Sequence, residues 1–162
     1  MATAEQSQTT TRWFEDFRTG DVIQLGTIEV TEAGILAYAH QFDPLRIHTD
    51  KEWAERDGPF HGLIASGWHT ASITSRLLVD GCFQHSAVIC GLGMDDLQWP
   101  TPVRPGDMLS GRFTVTDTVP SRSKPDRGAV VASVEVYAQD DRIVMTFIAK
   151  TLIGLRSPGA CQ

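Results

Sequence analysis

Cysteine is scarce in this sequence and follows no pattern: Cys82, Cys90 and Cys161 are odd in number, and none stands in a CxxC or Cys/His ligand spacing. That excludes a disulfide framework and gives no reason to expect a metal. A reducing, cytoplasmic setting fits best. Positive charge is also in deficit, with 14 Lys and Arg against 20 Asp and Glu and a formal net charge of −6. Nucleic-acid affinity comes largely from clustered cations on phosphates, so nucleic acid is not an expected partner. Long apolar runs are missing too. The longest stretch free of Asp, Glu, Lys and Arg, Gly58 to Ser75, is interrupted by Pro59, His61, Ser66 and His69, which makes a bilayer span a poor reading. The opening MATAEQSQTTTR lacks the apolar centre of a secretory leader and reads as a flexible tail over residues 1–12.

What is present is a globular composition, 41% hydrophobic and 21% charged over 162 residues. That suits one domain with a substantial core, expected over 13–155 with a short C-terminal tail at 156–162. Val22 to Val30 reads as a strand, and Thr31-Glu32 opens a short helix through Ile35, Leu36, Tyr38 and Ala39. Pro44 ends that helix, because its ring lacks an amide donor and pushes the preceding residue out of the helical region. The segment DPLRIH is then expected to be a loop. Thr49 is expected to cap a second short helix that Gly58-Pro59 breaks. Ala65 to Val79 reads as a longer helix, built of small and apolar residues up to Ser75 and suited to an interior position. The second half changes character. Ser86–Gly93, Met108–Val119, Ala129–Gln139 and Arg142–Leu152 are strand-like, with Leu109, Phe113 and Val115 on one side of one strand and Val130, Val134 and Val136 on one side of another. Asp140-Asp141 supplies a hairpin turn. Helices followed by strands predict an α+β domain, an antiparallel sheet filled by the long helix.

The chemistry concentrates on Asp43 and His48. Five residues apart, they would stand about 140° apart on a helix and on opposite faces of a flat strand. Pro44 forces an irregular loop between them, the local arrangement that can aim a carboxylate and an imidazole at one small volume. Water addition needs such a pair, one group to deprotonate water and another to supply a proton to carbon. Spacing alone also allows a turn Asp before proline and a solvent-facing His.

The segment Asp43-Pro44-Leu45-Arg46-Ile47-His48 resembles the loop of MaoC-like and R-specific enoyl-CoA hydratases, in which Asp and His keep this offset around a proline. The common family form is Asp-x-Asn-Pro-x-His; this chain lacks the Asn and carries its proline directly after Asp43. Phe14-Glu15-Asp16-Phe17-Arg18-Thr19-Gly20-Asp21 is similar to the family's entry motif, and Gly62 to Thr70, GLIASGWHT, to the start of its central helix. Trp99 to Asp107, WPTPVRPGD, and Ser121 to Gly128, SRSKPDRG, extend the likeness, which covers roughly residues 13 to 155.

The resemblance implies a hot-dog fold, five to seven antiparallel strands around the 65–79 helix, and protomers paired as a homodimer or a multiple of one. It implies hydration or dehydration of an acyl thioester on coenzyme A, with no separate cofactor. Asp43 and His48 would hold the catalytic water. Gly67, beside Ser66, would offer a backbone N–H to the thioester oxygen; the physics of a helix N-terminus agrees, and tight packing is the alternative reason for a glycine there. Ser75 matches a helix serine that supports the site in some relatives, although such a hydroxyl also bonds its own backbone. Arg122, Lys124 and Arg127 offer contacts to coenzyme A phosphates, or form a solvated hairpin tip. His61 and His69 match no catalytic position. Two rivals stay open: a hot-dog thioesterase, which typically uses a carboxylate in or near the central helix and finds none in residues 65–79, and a non-catalytic acyl-CoA-binding module.

Overall fold

The computed structural model describes residues 11–157. The expected tails, 1–12 and 156–162, therefore fall almost entirely outside the described residues. After a short 3-10 turn at Phe14–Asp16, strand β1 (Val22–Glu29) leads into helix α1 (Glu32–Phe42), whose Thr31 side chain accepts the Gly34 N–H at 3.0 Å. Asp43 closes α1, and Pro44 prevents another turn. Two short helices follow, α2 (Arg46–Thr49) and α3 (Lys51–Arg56), then the long α4 (Gly67–Gly81). Strands β2 (Val88–Gln98), β3 (Met108–Pro120), β4 (Arg127–Tyr137) and β5 (Ile143–Gly154) complete the chain. The five strands form one antiparallel sheet in the order β1-β3-β4-β5-β2. This is the hot-dog architecture, an α+β sheet curved about one helix.

Strand β2 starts at Val88 and runs on to Gln98 where Ser86–Gly93 was expected, and α4 ends at Gly81 where Val79 was expected. Three boundaries near the start of α4 differ for local reasons. The expected DPLRIH loop contains a helical turn, because the Thr49 hydroxyl donates to the Leu45 carbonyl and Arg46 pairs with Asp50 at 2.9 Å. Thr49 thus ends α2 instead of capping α3; Asp50 is the cap, accepting the Trp53 N–H. The long helix begins two residues later than expected, since the Ala65 N–H is drawn to the Val103 carbonyl and the Ser66 hydroxyl takes the cap.

The periodicity in the strands does its work. Leu109, Phe113, Val115, Val130, Val134 and Val136 are all at most 1% exposed, and the register Phe113↔Val134↔Phe147 lays their rows side by side on the inner face. Against that face α4 turns Thr70, Thr74, Leu77 and Leu78. The helix is not wholly interior, however: Trp68, Ser72, Ser75, Arg76 and Val79 are exposed on its far side, so this single chain covers only part of it. Edge strand β2 likewise exposes Ile89, Leu92 and Met94.

One polar knot holds the 101–107 segment to the sheet. Buried Asp107 accepts the Arg104 N–H at 2.8 Å and both of its carboxylate oxygens lie 3.0 Å from Arg142 Nη2, while Arg142 Nη1 donates to the Pro102 carbonyl. Hydrogen bonds to buried charges are worth more than neutral ones, and losing one partner leaves the others desolvated. Asp107→Ala should therefore cost about 2–4 kcal/mol, read as a lower guanidinium midpoint with an unchanged slope.

Candidate functional site

The site grows from the point where α1 stops. Asp43 keeps the last helical bond, N–H to the Ala39 carbonyl at 2.9 Å, and its own carbonyl accepts the Leu45 N–H at 2.8 Å. The chain thereby doubles back into α2, whose third residue is His48. That imidazole is 5% exposed. Its Nδ1 lies 2.9 Å from the Ile64 carbonyl oxygen, and because a carbonyl only accepts, Nδ1 carries the proton in this bond. In the neutral ring Nε2 is then left as an acceptor. It stands 3.5 Å from Asp43 Oδ2, so two acceptors face one another at a spacing that a donor such as water can bridge.

A cavity of about 260 Å³ opens beside this pair, lined by His48, Phe60, Gly67, Thr70, Trp99 and Val144 among others. Asp43 does not line it; its carboxylate, with 23% of the side chain exposed, meets the cavity through His48. Gly67 is the first residue of α4, and an N–H in that position has no partner within its own helix. The next N–H, of Trp68, is taken by the buried Ser66 hydroxyl at 3.2 Å. Ser66 therefore caps the helix and does not line the cavity. The glycine also has a packing reason: a Cβ at position 67 would stand 2.8 Å from the Trp99 indole, which lies across the helix start and meets Trp68 edge-on at 5.4 Å.

Two groups predicted for the site lie elsewhere in the single chain. Ser75 is two turns along α4, exposed, and faces a different cavity bounded by β2 and β5, so the structure does not bring it to Asp43 or His48. The basic cluster sits where β3 turns into β4, with Arg127 paired to neighbouring Asp126. The cavity adjoins the opposite end of the sheet, the length of β3 away. Within one chain the structure does not bring Arg122, Lys124 or Arg127 to His48. Conversely, Phe60, Trp99 and the Ile64 carbonyl escaped the sequence reading. The first two carry no local spacing signal, and the third is a backbone group that any residue type would provide.

His69 stands apart from the pair. Its ring stacks on Tyr38 at 4.8 Å, and its buried Nδ1 has no hydrogen-bond partner among the described residues. Burial holds its pKa below the ordinary 6.5. The unfolded chain accordingly binds this proton at higher pH than the folded one, so stability falls as pH drops through about 6.5 toward the folded value. His69→Phe, which keeps a ring against Tyr38, should flatten that part of the stability profile in urea titrations taken between neutral and mildly acidic pH.

No helix among the described residues is long and apolar enough to cross a membrane, and no group of three or more His, Cys, Asp or Glu among them is placed to hold a metal ion. The family model described as "MaoC like domain" matches residues 16–138. The uncharacterised protein YdeM of Bacillus subtilis is 31% identical over 127 residues, 78% of this chain and 88% of that protein. Among solved structures, the MaoC-like dehydratase from Rhodospirillum rubrum is 40% identical with a TM-score of 0.81, covering 90% of this chain and 98% of that one. The R-hydratase PhaJ1 from Pseudomonas aeruginosa, at 19% identity, shares the fold with a TM-score of 0.71 over 91% of this chain and 88% of its own.

Proposed function

The chain belongs to the MaoC-like domain family, and we propose that it adds water to, or removes it from, a 2-enoyl or 3-hydroxyacyl thioester of coenzyme A. The observation that carries this reading is the pair of facing acceptors, His48 Nε2 and Asp43 Oδ2, 3.5 Å apart beside the cavity that also reaches the start of α4. A water seated to one side of the pair can donate one O–H to each and is thereby oriented.

In the hydration direction the water oxygen attacks the β-carbon while Nε2 takes one of its protons. The electron pair of the double bond moves through the α-carbon to the thioester oxygen, giving an enolate. The Gly67 N–H and the partial positive charge of the α4 terminus stabilise that oxygen. The imidazolium, held beside the Asp43 carboxylate, then returns its proton to the α-carbon, so one water is consumed and no redox change occurs. Coenzyme A enters as part of the substrate, and the scheme requires no other cofactor.

The thioesterase alternative gains one carboxylate from the structure, since α4 runs on to include Asp80. That side chain pairs with Arg76 at 2.6 Å, in the last turn of the helix and some 20 Å from Gly67 by helical rise. It is remote from the cavity, which favours hydration over hydrolysis.

We also infer a homodimer. An edge strand of 11 residues exposing Ile89, Leu92 and Met94, beside a helix exposing Trp68 and Val79, is a surface that a second copy can cover. Cys82 and Cys90 are both free thiols, which fits a reducing, cytoplasmic location. Light scattering at micromolar concentration should return at least twice the chain mass of 17.8 kDa; a stable monomer would contradict the inference.

The catalytic reading is tested with trans-2-enoyl-CoA thioesters followed both for loss of the conjugated double bond and for thiol release. Loss of the double bond without thiol release is expected, and the reverse would install the thioesterase. Asp43→Asn and His48→Ala should each lower kcat by about 10²–10⁴-fold. Because both act on one water, the double variant should resemble the worse single variant instead of multiplying the two defects.

A further inference from the structure

The cavity at His48 and the second cavity are lined by adjacent residues on two elements. On α4, Thr70 lines the first cavity and Ala71 the second; on β5, Val144 lines the first and Met145 the second. The second cavity, about 200 Å³, runs between α4 and strands β5 and β2, with Leu78, Phe83, Met94 and Phe147 on its walls. Between the two stand Thr74 and Met145, each 1% exposed. The Thr74 hydroxyl donates to the Thr70 carbonyl at 2.8 Å, and its oxygen lies 3.5 Å from Met145 Sδ. The thioether is thus packed against a side chain that is itself fixed to its own helix.

We infer that Met145, seated on Thr74, is the partition that ends the acyl pocket of this protein, so that the site accepts short-chain acyl thioesters and excludes longer ones. The inference rests on reading the first cavity as the thioester seat. At about 260 Å³, that cavity is smaller than the roughly 300–1,000 Å³ usual for small-molecule sites, and it must hold the thioester as well as the chain. The apolar volume that adjoins the chain's end is the one behind Met145. Methionine is unbranched and fills an irregular gap well, but shortening it joins the two spaces.

The test uses saturated acyl-CoAs from butanoyl to decanoyl, with binding to the full chain read by quenching of tryptophan emission, since Trp99 lines the first cavity. Wild-type affinity should stop rising at a short chain length. In Met145→Ala the plateau should move at least two methylenes longer, each added methylene gaining about fourfold in affinity. Met145→Leu keeps the bulk and should keep the wild-type plateau. Near-UV circular dichroism checks the fold; if the alanine variant fails it, Met145→Val carries the same test with a shift of one methylene. A folded Met145→Ala that levels off where wild type does overturns the inference, as does a wild type whose affinity climbs without a plateau to decanoyl. Turnover plays no part in this readout. A protein that shows the moved plateau but hydrates no enoyl thioester keeps the partition and loses the hydratase; one that hydrates with an unmoved plateau keeps the hydratase and loses the partition.

Discussion

The site depends on a clasp between two short backbone segments. The Ile64 N–H reaches the Ile47 carbonyl at 3.4 Å, and the Ile64 carbonyl in turn accepts the His48 Nδ1 proton at 2.9 Å. One residue further on, the Ala65 N–H bonds the Val103 carbonyl. These three bonds tie the turn that carries His48, the approach to α4 and the segment carrying Trp99 to Val103 into one unit. They fix at once the tautomer of the imidazole, the position of the helix N-terminus and the far wall of the cavity. Without the bond to the Ile64 carbonyl His48 would be a buried ring with an unsatisfied donor, which is costly. With it, the ring presents its remaining nitrogen toward Asp43.

The clasp in turn relies on the polar knot beneath it. Asp107 and Arg142 anchor the 101–107 segment to the start of β5, and Val103, buried among them, hands its carbonyl to Ala65. Most of the charges here are paired with one another at the rim of the fold, and the cavity lining holds no Lys, Arg, Asp or Glu. The field within the cavity therefore comes from a helix terminus, one imidazole and, 3.5 Å behind that ring, the Asp43 carboxylate. For the proposed enolate this leaves stabilisation to the helix terminus, since a permanent cation would hold tightly onto an anion at every stage.

How much of this was legible in the sequence follows from what each feature depends on. The strands were legible because burial on one face imposes a period of two, and Phe113 and Val134 show it without help from distant residues. The break at Pro44 was legible because proline acts on its neighbours alone, but the pairing of Asp43 with His48 was legible only through the resemblance, spacing by itself allowing a turn Asp and a solvent-facing His. The helical turn at Arg46–Thr49 was not, since it rests on a four-residue ion pair and one hydroxyl that compete with loop geometry only weakly. The quoted motifs proved legible as patterns but not as roles. The Arg104 to Asp107 portion is the knot that fixes a loop, and Gly128 of the hairpin motif is small because the Phe14 ring of the entry motif packs against it. Two motifs far apart in the chain meet there, a contact that no local reading reveals. The basic hairpin was placed at a phosphate on chemistry alone, and only the length of β3 shows that within one chain it lies at the other end.

The hydroxyls of α4 explain how a helix rich in polar side chains can form the inner wall of the proposed acyl site. Thr70 donates to the Ser66 carbonyl, Ser72 to Trp68 and Thr74 to Thr70, each one turn back along the helix. A hydroxyl bonded in this way offers its methyl or its carbon frame to the neighbouring space and withholds its proton from a ligand. The wall facing β5 therefore behaves as apolar despite its composition. Uncommitted polar groups that reach the first cavity include the imidazole, the N–H at the start of the helix and the Thr101 hydroxyl. A thioester entering that cavity finds its reacting atoms matched to these groups and its chain matched to the walls. In the proposed site, the same back-bonding that would only mildly weaken an ordinary helix gives the acyl chain an apolar wall.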